Sequence, residues 1–291
     1  MRTVKQRNQR TLARPAEAGG IGFLTSALVR IRFLPAAPDT GIVFVRTDLK
    51  PAVRIEARLE NVTGTDRRTT LGQPPAQVSL VEHVLAALAG LRIDNCIVEL
   101  NASEPPGLDG SALKFVEALR KSGTILQAAV RPIRGVEESV VVQAGGASLA
   151  LHPVDSDELQ ISYILDYGSP SPIGRQSHTQ IITPEGFAND LADCRTYVLA
   201  QEAHELRRQG LGERLTTADL LVIGPHGPIG NRYRHANELV RHKILDIVGD
   251  LALLGHDLCG HLVAYRSGHA LNVELARALC QTARRSVRTA A

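Results

Sequence analysis

Residues 239–250 read LVRHKILDIVGD, and this stretch decides the fold because its pattern occurs earlier in the same chain. The tetrapeptide LVEH at 80–83 aligns with LVRH at 239–242, and Gly90 aligns with Gly249 at the same offset. Further on, GSAL at 110–113 matches GHAL at 268–271 with the offset changed by one residue. Two matches in the same order favour a duplicated fold, in which one half of the chain repeats the other.

Both copies of the pattern predict a helix. The first begins at Ser79 and ends at Gly90, and its apolar residues fall at the i, i+3, i+4 and i+7 spacing of one buried face. The second runs from about residue 236 to 254. Within it His242, Asp246 and Asp250 recur every four residues and therefore share one face. The opposite face is apolar and carries Ile244, Ile247, Val248 and Leu251.

The remaining elements predict an α+β fold of two similar domains, each with helices packed against β-sheets. In the first half we expect strands at 27–33, 41–45 and 96–100, and a helix from Ser111 to about Arg120. In the second half, strands at 138–142, 148–152 and 159–164 suggest a meander, and a last strand at 262–265 leads to a helix starting near His269. Residues 127–135, with Pro132 between basic residues, predict a connector. We therefore divide the chain into domains 1–130 and 131–291.

The composition is that of an ordinary globular protein. The 291 residues are 44% hydrophobic and 22% charged, as in ordinary globular proteins. The net charge of +3 is mild and the basic residues are scattered, so we expect no nucleic-acid partner. The basic N-terminus lacks the apolar region of a secretory signal and predicts a solvated tail that includes Arg2, Lys5, Arg7 and Arg10.

Two further observations concern the compartment. No apolar run approaches the about 20 residues needed to cross a bilayer, so we expect at most transient contact with a membrane surface. The four cysteines are far apart and form no CxxC pair, which favours thiols in a reducing cytoplasm. We expect a cytoplasmic monomer.

A metal site is the main chemical prediction. His242 and Asp246, at i and i+4, offer a nitrogen and an oxygen ligand, but such a pair alone is more typical of a solvated or salt-bridged helix face. The duplication favours a metal site over a solvated helix face, because duplicated halves commonly pack about a pseudo-twofold axis that would bring His83 to His242. Three protein ligands and one open position are what a catalytic zinc requires.

Two side chains near these ligands admit two interpretations each. Glu82 precedes His83 and is near enough to act as a general base, but Ser79 and Glu82 also fit a capping box at the helix start. His269 begins the last helix, whose macrodipole disfavours a positive charge there. Asp250 is on the right face to restore that charge. A lone histidine at such a corner is otherwise most often a structural hydrogen-bonding residue.

These residues also resemble a known family, the bacterial UDP-3-O-acyl-N-acetylglucosamine deacetylases of lipid A synthesis. The similar segments are VEH at 81–83 with AALAGL at 86–91, IDN at 93–95, DGSA at 109–112, VRHKILD at 240–246 with GDL at 249–251, and SGHALN at 267–272. The resemblance covers about residues 9–279. It implies two domains of like topology with the active site between them.

The same resemblance implies the roles of individual residues. It implies Zn²⁺ on His83, His242 and Asp246, with Glu82 as general base and His269 as general acid. It further implies that Asp250 orients His269, that Thr196 stabilises the oxyanion and that Lys243 contacts the substrate. An insert at about 197–223 would shelter the acyl chain of an acylated UDP-N-acetylglucosamine. No other cofactor is implied.

Two departures from the family pattern concern the substrate. At 20–26 the chain reads GIGFLTS, where the family usually has a histidine at the position of Leu24, and residues 213–219 lack the family's Gly-Ser-Leu-Asn type of sequence. The predicted reaction is hydrolysis of the N-acetyl amide, which releases acetate. The alternatives are a paralogous deacetylase acting on a different nucleotide sugar and a non-catalytic relative that only binds ligand.

Overall fold

The computed structural model describes residues 1–289, with side chains described to residue 282. Over this part of the chain the strands are β1 (Arg2–Leu12), β2 (Ala16–Ile21), β3 (Leu28–Pro35), β4 (Ile42–Arg46), β5 (Val53–Glu56), β6 (Val62–Gly64), β7 (Thr70–Leu71), β8 (Val78–Ser79), β9 (Cys96–Leu100), β10 (Thr124–Gly135), β11 (Val140–Ala144), β12 (Ala147–His152), β13 (Leu159–Leu165), β14 (Gln176–Ile181), β15 (Tyr197–Leu199), β16 (Leu221–Gly224), β17 (Gly227–Pro228), β18 (Asp257–Leu258) and β19 (Gly260–Tyr265).

The helices lie between and after groups of these strands. They are α1 (Glu82–Gly90), α2 (Leu113–Ser122), the single turn α3 (Pro184–Gly186), α4 (Ala200–Arg208), α5 (Glu238–Leu251) and α6 (His269–Thr289). A 3₁₀ turn at Ala252–Leu254 continues α5. Among the described helices none combines the length and apolar character that a membrane crossing requires.

Two five-stranded sheets repeat each other strand for strand. The first has the order β2-β3-β9-β4-β5 and the second the order β11-β12-β19-β13-β14. In both sheets the first two pairings are antiparallel, the third is parallel and the last is antiparallel. The predicted duplication and the α+β class are therefore confirmed.

The sheets bury the faces that their alternating sequences predict. In β9, for instance, Cys96, Val98 and Leu100 are buried and the two residues between them are partly exposed, as the period of two requires. Helices α1 and α5, one from each copy of the repeat, pack against each other in the middle of the aliphatic core. Because both helices carry the repeated histidine, this packing sets the position of the site.

Each half also carries a small additional sheet. Strands β6, β7 and β8 form one in the first half, and β15, β16 and β17 form the other in the second half. The residues of the predicted insert, 197–223, make up β15, α4 and most of β16. The division of the chain near residue 130 stays a prediction.

The N-terminus and the predicted connector are both strands. Strand β1 pairs with β10 along nearly its whole length, and β10 continues the sheet to β18. The guanidinium of Arg7 donates to both carboxylate oxygens of Asp94 at 2.7 Å and to Asp257 at 2.6 Å. The N-terminus is therefore a paired strand rather than a tail, although its residues 2–6 are exposed. The prediction of solvation was wrong at Arg7, because the buried Asp94 and the partly buried Asp257, one from each half, hold this arginine.

Two smaller predictions were also wrong. The first helix begins at Glu82 rather than Ser79, because Ser79 belongs to β8 and Leu80 has a φ of 57°, which interrupts the helix. The second sheet is not a simple meander, since β19 lies between β12 and β13. Long-range pairing of this kind leaves no local signal in the sequence. The predicted strand at 96–100 and the start of α6 at His269 are confirmed.

Candidate active site

Helices α1 and α5 bring the two repeated histidines together. The ring centroids of His83 and His242 lie 5.1 Å apart, with the ring planes at 90°. The polar face of α5 is not solvated, because His242, Asp246 and Asp250 are 2%, 3% and 0% exposed. A solvated helix face, the simpler interpretation of this spacing, is thereby excluded.

His83, His242 and Asp246 present their ligand atoms to one point. The Oδ1 atom of Asp246 lies 3.3 Å from Nε2 of His242 and 3.7 Å from Nε2 of His83. Ligand bonds of about 2.0–2.2 Å in a tetrahedral zinc site separate neighbouring ligand atoms by about 3.3–3.6 Å. The three side chains therefore have the donor types and the spacing of a site for a divalent metal.

The surroundings of Asp246 and His242 support this interpretation. The buried Oδ1 of Asp246 has no hydrogen-bond partner in the described part of the chain, and such an atom is costly to bury unless something binds it. His242 is kept neutral, since burial lowers its pKa to about 3, and its Nδ1 lies 3.1 Å from the Cys194 carbonyl. A neutral imidazole with one nitrogen held by a carbonyl is the form that binds metal.

Lys243 is hydrogen-bonded to the second oxygen of the Asp246 carboxylate. Its Nζ donates to Oδ2 at 2.8 Å and lies 5.8 Å from the ring centroid of Tyr197. Burial opposes the charge of Lys243, but Asp246 raises its pKa above the usual value. Lys243 thus leaves only Oδ1 of Asp246 for a metal and places a cation on the cavity wall.

Glu82 is a buried carboxylate at the start of α1. Its Oε2 accepts a hydrogen bond from the backbone N–H of Thr69 at 3.0 Å, and no side chain caps the helix. The capping-box interpretation is therefore wrong, because Ser79 lies outside the helix and the Glu82 carboxylate bonds elsewhere. Burial raises the pKa of Glu82, although His269 and His83 oppose the rise.

His269 is held by Asp250 in the predicted way. Its Nδ1 lies 2.8 Å from Oδ2 of Asp250, which also accepts from Nδ2 of Asn272 at 2.8 Å. Burial alone would lower the pKa of His269, but the Asp250 carboxylate raises it to about 9. The imidazole is therefore a cation at neutral pH and can donate a proton from its other nitrogen.

Thr196 is positioned by both halves of the chain. Its backbone N–H donates to the carbonyl of Gly110 at 2.8 Å. The preceding residue, Arg195, is fixed by Glu238, the fully buried first residue of α5, through a bond of 2.7 Å from Nε. Gly110 has a φ of 82°, and a Cβ there would lie 2.6 Å from the Asp219 carbonyl, so this turn requires glycine.

Glu82, Thr196, Lys243, His269 and the predicted metal ligands line a cavity of about 520 Å³. Its walls include Glu82, His83, Thr196, His242, Lys243, Asp246 and His269. Tyr197 and Val198 from the predicted insert line the same space, and so does Phe23, the residue before the departure at Leu24. The cavity therefore contains three side chains that could hold a metal ion, a further carboxylate, an imidazolium and an apolar wall.

Two buried residues next to the cavity were missed by the sequence analysis. Thr69 contacts both Glu82 and Asp250, and Glu104 binds the loop that carries Phe23 through the backbone N–H groups of Leu24 and Thr25. Neither residue has a spacing or motif that marks it. Only burial, at 0% exposure for both, and the hydrogen-bond partners identify them.

Comparison with known proteins gives a consistent result. A sequence profile of the UDP-3-O-acyl N-acetylglycosamine deacetylase family matches residues 9–281. The chain is 38% identical over 273 residues to the UDP-3-O-acyl-N-acetylglucosamine deacetylase of Nitrosococcus oceani, covering 93% of this chain and 89% of that protein.

Two further relatives carry the same name. The protein of Geobacter sp. strain M21 is 39% identical, with 92% of this chain and 87% of the relative covered. The protein of Thermosynechococcus vestitus is 40% identical, with 94% of both chains covered. Since the profile match spans residues 9–281 and the relatives cover more than 90% of this chain, the chain belongs to the UDP-3-O-acyl N-acetylglycosamine deacetylase family.

Proposed function

We propose that this protein hydrolyses the N-acetyl amide of UDP-3-O-acyl-N-acetylglucosamine and releases acetate, a step of lipid A biosynthesis. One observation carries the proposal: the buried Glu82 carboxylate and the His269 imidazolium line the same cavity as His83, His242 and Asp246. A base, an acid and a metal-binding group around one space are the components of metal-assisted amide hydrolysis.

His83, His242 and Asp246 would hold Zn²⁺. When bound, the metal would polarise the acetyl carbonyl and lower the pKa of a water ligand towards about 7. Lys243 supports this assignment, because its bond to Oδ2 of Asp246 orients the carboxylate with Oδ1 towards the two imidazoles.

Glu82 and His269 would move the protons. Glu82 accepts a proton from the water that attacks the acetyl carbon, and the burial that raises its pKa makes the carboxylate a stronger base. His269 donates a proton to the amine nitrogen as the C–N bond breaks, so the products are acetate and the free amine. Asp250 keeps His269 charged, and the Thr196 hydroxyl would donate to the developing oxyanion.

Lys243 would contact the substrate from the cavity wall, and the acyl chain would lie along the apolar side formed by Phe23 and Val198. We further propose a cytoplasmic monomer that meets the membrane surface only transiently and binds no nucleic acid, because the cysteines are far apart and the net charge of +3 is mild. Leu24, where the family usually has a histidine, and the altered segment 213–219 favour one alternative, a deacetylase acting on another nucleotide sugar.

Metal analysis combined with an acetate-release assay tests the proposal. We expect wild type to contain one zinc and to release acetate from UDP-3-O-acyl-N-acetylglucosamine faster than from unacylated or other nucleotide sugars. His83→Ala should lose the zinc, and Glu82→Gln should keep it and lose activity. Faster reaction with another nucleotide sugar would favour the alternative, and full activity in Glu82→Gln would overturn the mechanism.

A further inference from the structure

Thr69 makes three hydrogen bonds that join separate parts of the molecule. Its N–H donates to Oε2 of Glu82 at 3.0 Å, its carbonyl accepts from the Val81 N–H at 3.3 Å, and its hydroxyl donates to Oδ1 of Asp250 at 2.6 Å. The residue is 0% exposed and lies immediately before β7. It is therefore in direct contact with the partner of the acid and with the base itself.

The hydrogen bonds of Thr69 occupy specific oxygen atoms of the Glu82 and Asp250 carboxylates. At Glu82 the Thr69 N–H occupies Oε2, so Oε1 is the oxygen available to a water molecule in the cavity. At Asp250 the hydroxyl occupies Oδ1, while Oδ2 binds His269 and Asn272. Both oxygens of Asp250 are thus fixed, and the carboxylate cannot rotate without breaking a buried hydrogen bond.

The result is a continuous buried chain of contacts from Glu82 through Thr69 and Asp250 to His269. It crosses from the first copy of the repeat to the second, because Glu82 belongs to α1 and Asp250 to α5. The two ends of this chain are the proposed base and the proposed acid. A shift of α1 against α5 would therefore change their separation, and Thr69 resists that shift from both sides.

We propose that Thr69 is a positioning residue, which holds the Glu82 carboxylate and the Asp250–His269 pair in one fixed arrangement across the two halves. The inference rests on the proposed deacetylase function for its kinetic consequence. Water attack and amine protonation occur at the two ends of the same C–N unit, so the base and the acid must keep a fixed separation. Loss of a hydrogen bond that orients a catalytic group typically costs about 10- to 100-fold in activity.

Three threonine variants of the zinc-loaded full-length protein separate the hydroxyl from the shape of the side chain. Thr69→Val keeps the shape and the backbone N–H but removes the bond to Asp250. Thr69→Ser keeps the hydroxyl. The matched control is Thr70→Val, since the neighbouring buried Thr70 bonds to Ser79 Oγ at 3.0 Å rather than to the cavity residues.

The expected kinetic result is a loss confined to kcat. In Thr69→Val kcat should fall about 10- to 100-fold with KM nearly unchanged, whereas Thr69→Ser and Thr70→Val should stay within about threefold of wild type. If Thr69→Val fails to fold, Thr69→Ala provides a second variant without the hydroxyl. Wild-type kcat in a folded Thr69→Val would overturn the inference, as would an equal loss in Thr70→Val.

A second measurement separates failure of this inference from failure of the proposed function. The proton shared by His269 Nδ1 and Asp250 should give a downfield proton NMR signal that is absent in His269→Gln. We expect the signal to shift or disappear in Thr69→Val and to persist in Thr69→Ser. An unshifted signal in Thr69→Val would overturn the positioning role, whether or not the wild-type protein releases acetate. Absence of acetate release by the wild-type protein would overturn only the proposed function.

Discussion

Gly249 lies directly against the backbone of Glu82. A Cβ at Gly249 would lie 2.1 Å from the Glu82 carbonyl oxygen and 2.9 Å from its carbonyl carbon, closer than any real contact. This glycine therefore permits the close approach of α1 and α5. The approach sets the proposed base next to the proposed metal ligands, because Glu82 and His83 are the first residues of α1.

Gly249→Ala should force the two helices apart. We expect the free energy of unfolding to fall by about 1–3 kcal/mol through overpacking, and activity to fall because Glu82 moves away from the site. Urea unfolding and the acetate assay measure both effects. Gly174→Ala is the control, since a Cβ there has nothing within 4 Å; equal behaviour of the two variants would contradict the steric argument.

The activity should depend on the charge of His269. Its pKa is raised to about 9, so the rate should fall as the pH rises through about 9 and the imidazolium loses its proton. Asp250→Asn removes the carboxylate that raises the pKa, and the alkaline limb should move to lower pH. Profiles of kcat/KM against pH measure this. A limb at the same pH in both proteins would show that another group titrates.

The same pKa shift predicts a change in stability. Because the folded pKa of His269 lies above the unfolded value of about 6.5, its contribution is fully present below about pH 6.5 and is lost as the pH rises through about 9. Urea unfolding of the metal-free protein at several pH values should show this loss in wild type. His269→Gln should reduce the difference, and an unchanged difference would assign it to another group.

Glu104 should control the loop that carries Phe23. Its buried carboxylate accepts from the N–H groups of Leu24 and Thr25 and from the Thr25 hydroxyl at 2.7 Å. Glu104→Gln replaces one acceptor with a donor, so we expect a loss of about 1–3 kcal/mol in unfolding free energy and a higher KM.

Thermal unfolding and steady-state kinetics measure the effects of Glu104→Gln. Glu17→Gln is the control, because the Glu17 carboxylate pairs with Arg30 on the surface and should affect neither quantity. An unchanged KM in Glu104→Gln would show that the loop does not shape the substrate site.

Arg7 should matter more than the other basic residues of the N-terminal strand. Its side chain is 14% exposed and bridges Asp94 and Asp257, whereas Lys5 is 60% exposed. Arg7→Met leaves the buried Asp94 and the partly buried Asp257 with fewer partners, and we expect it to cost about 3 kcal/mol. Lys5→Met should leave thermal stability nearly unchanged. Equal melting temperatures of the two variants would support the original prediction of a solvated tail.

Several features could be predicted because their signal is local or repeated. The periodicity of residues 236–254 predicts α5, and the aligned tetrapeptides predict the duplication that the two sheets confirm. The start of the first helix could not be predicted, because the left-handed conformation of Leu80 depends on its surroundings. The pairing of β1 with β10 likewise joins residues more than a hundred positions apart, and neither strand alternates clearly.

The sequence by itself determined the duplication and therefore the proximity of His83 and His242. The reason is that duplicated halves commonly pack about a pseudo-twofold axis, which brings equivalent residues together. The sequence also determined the asymmetry of the site, since Asp246 and Asp250 correspond to Ala87 and Leu91 in the first copy. Only the tertiary structure decided whether the Glu82 carboxylate caps its helix or binds the Thr69 N–H, and only it revealed the role of Thr69. Both depend on which buried donor lies nearest each oxygen, and the packing of α1 against α5 sets that arrangement.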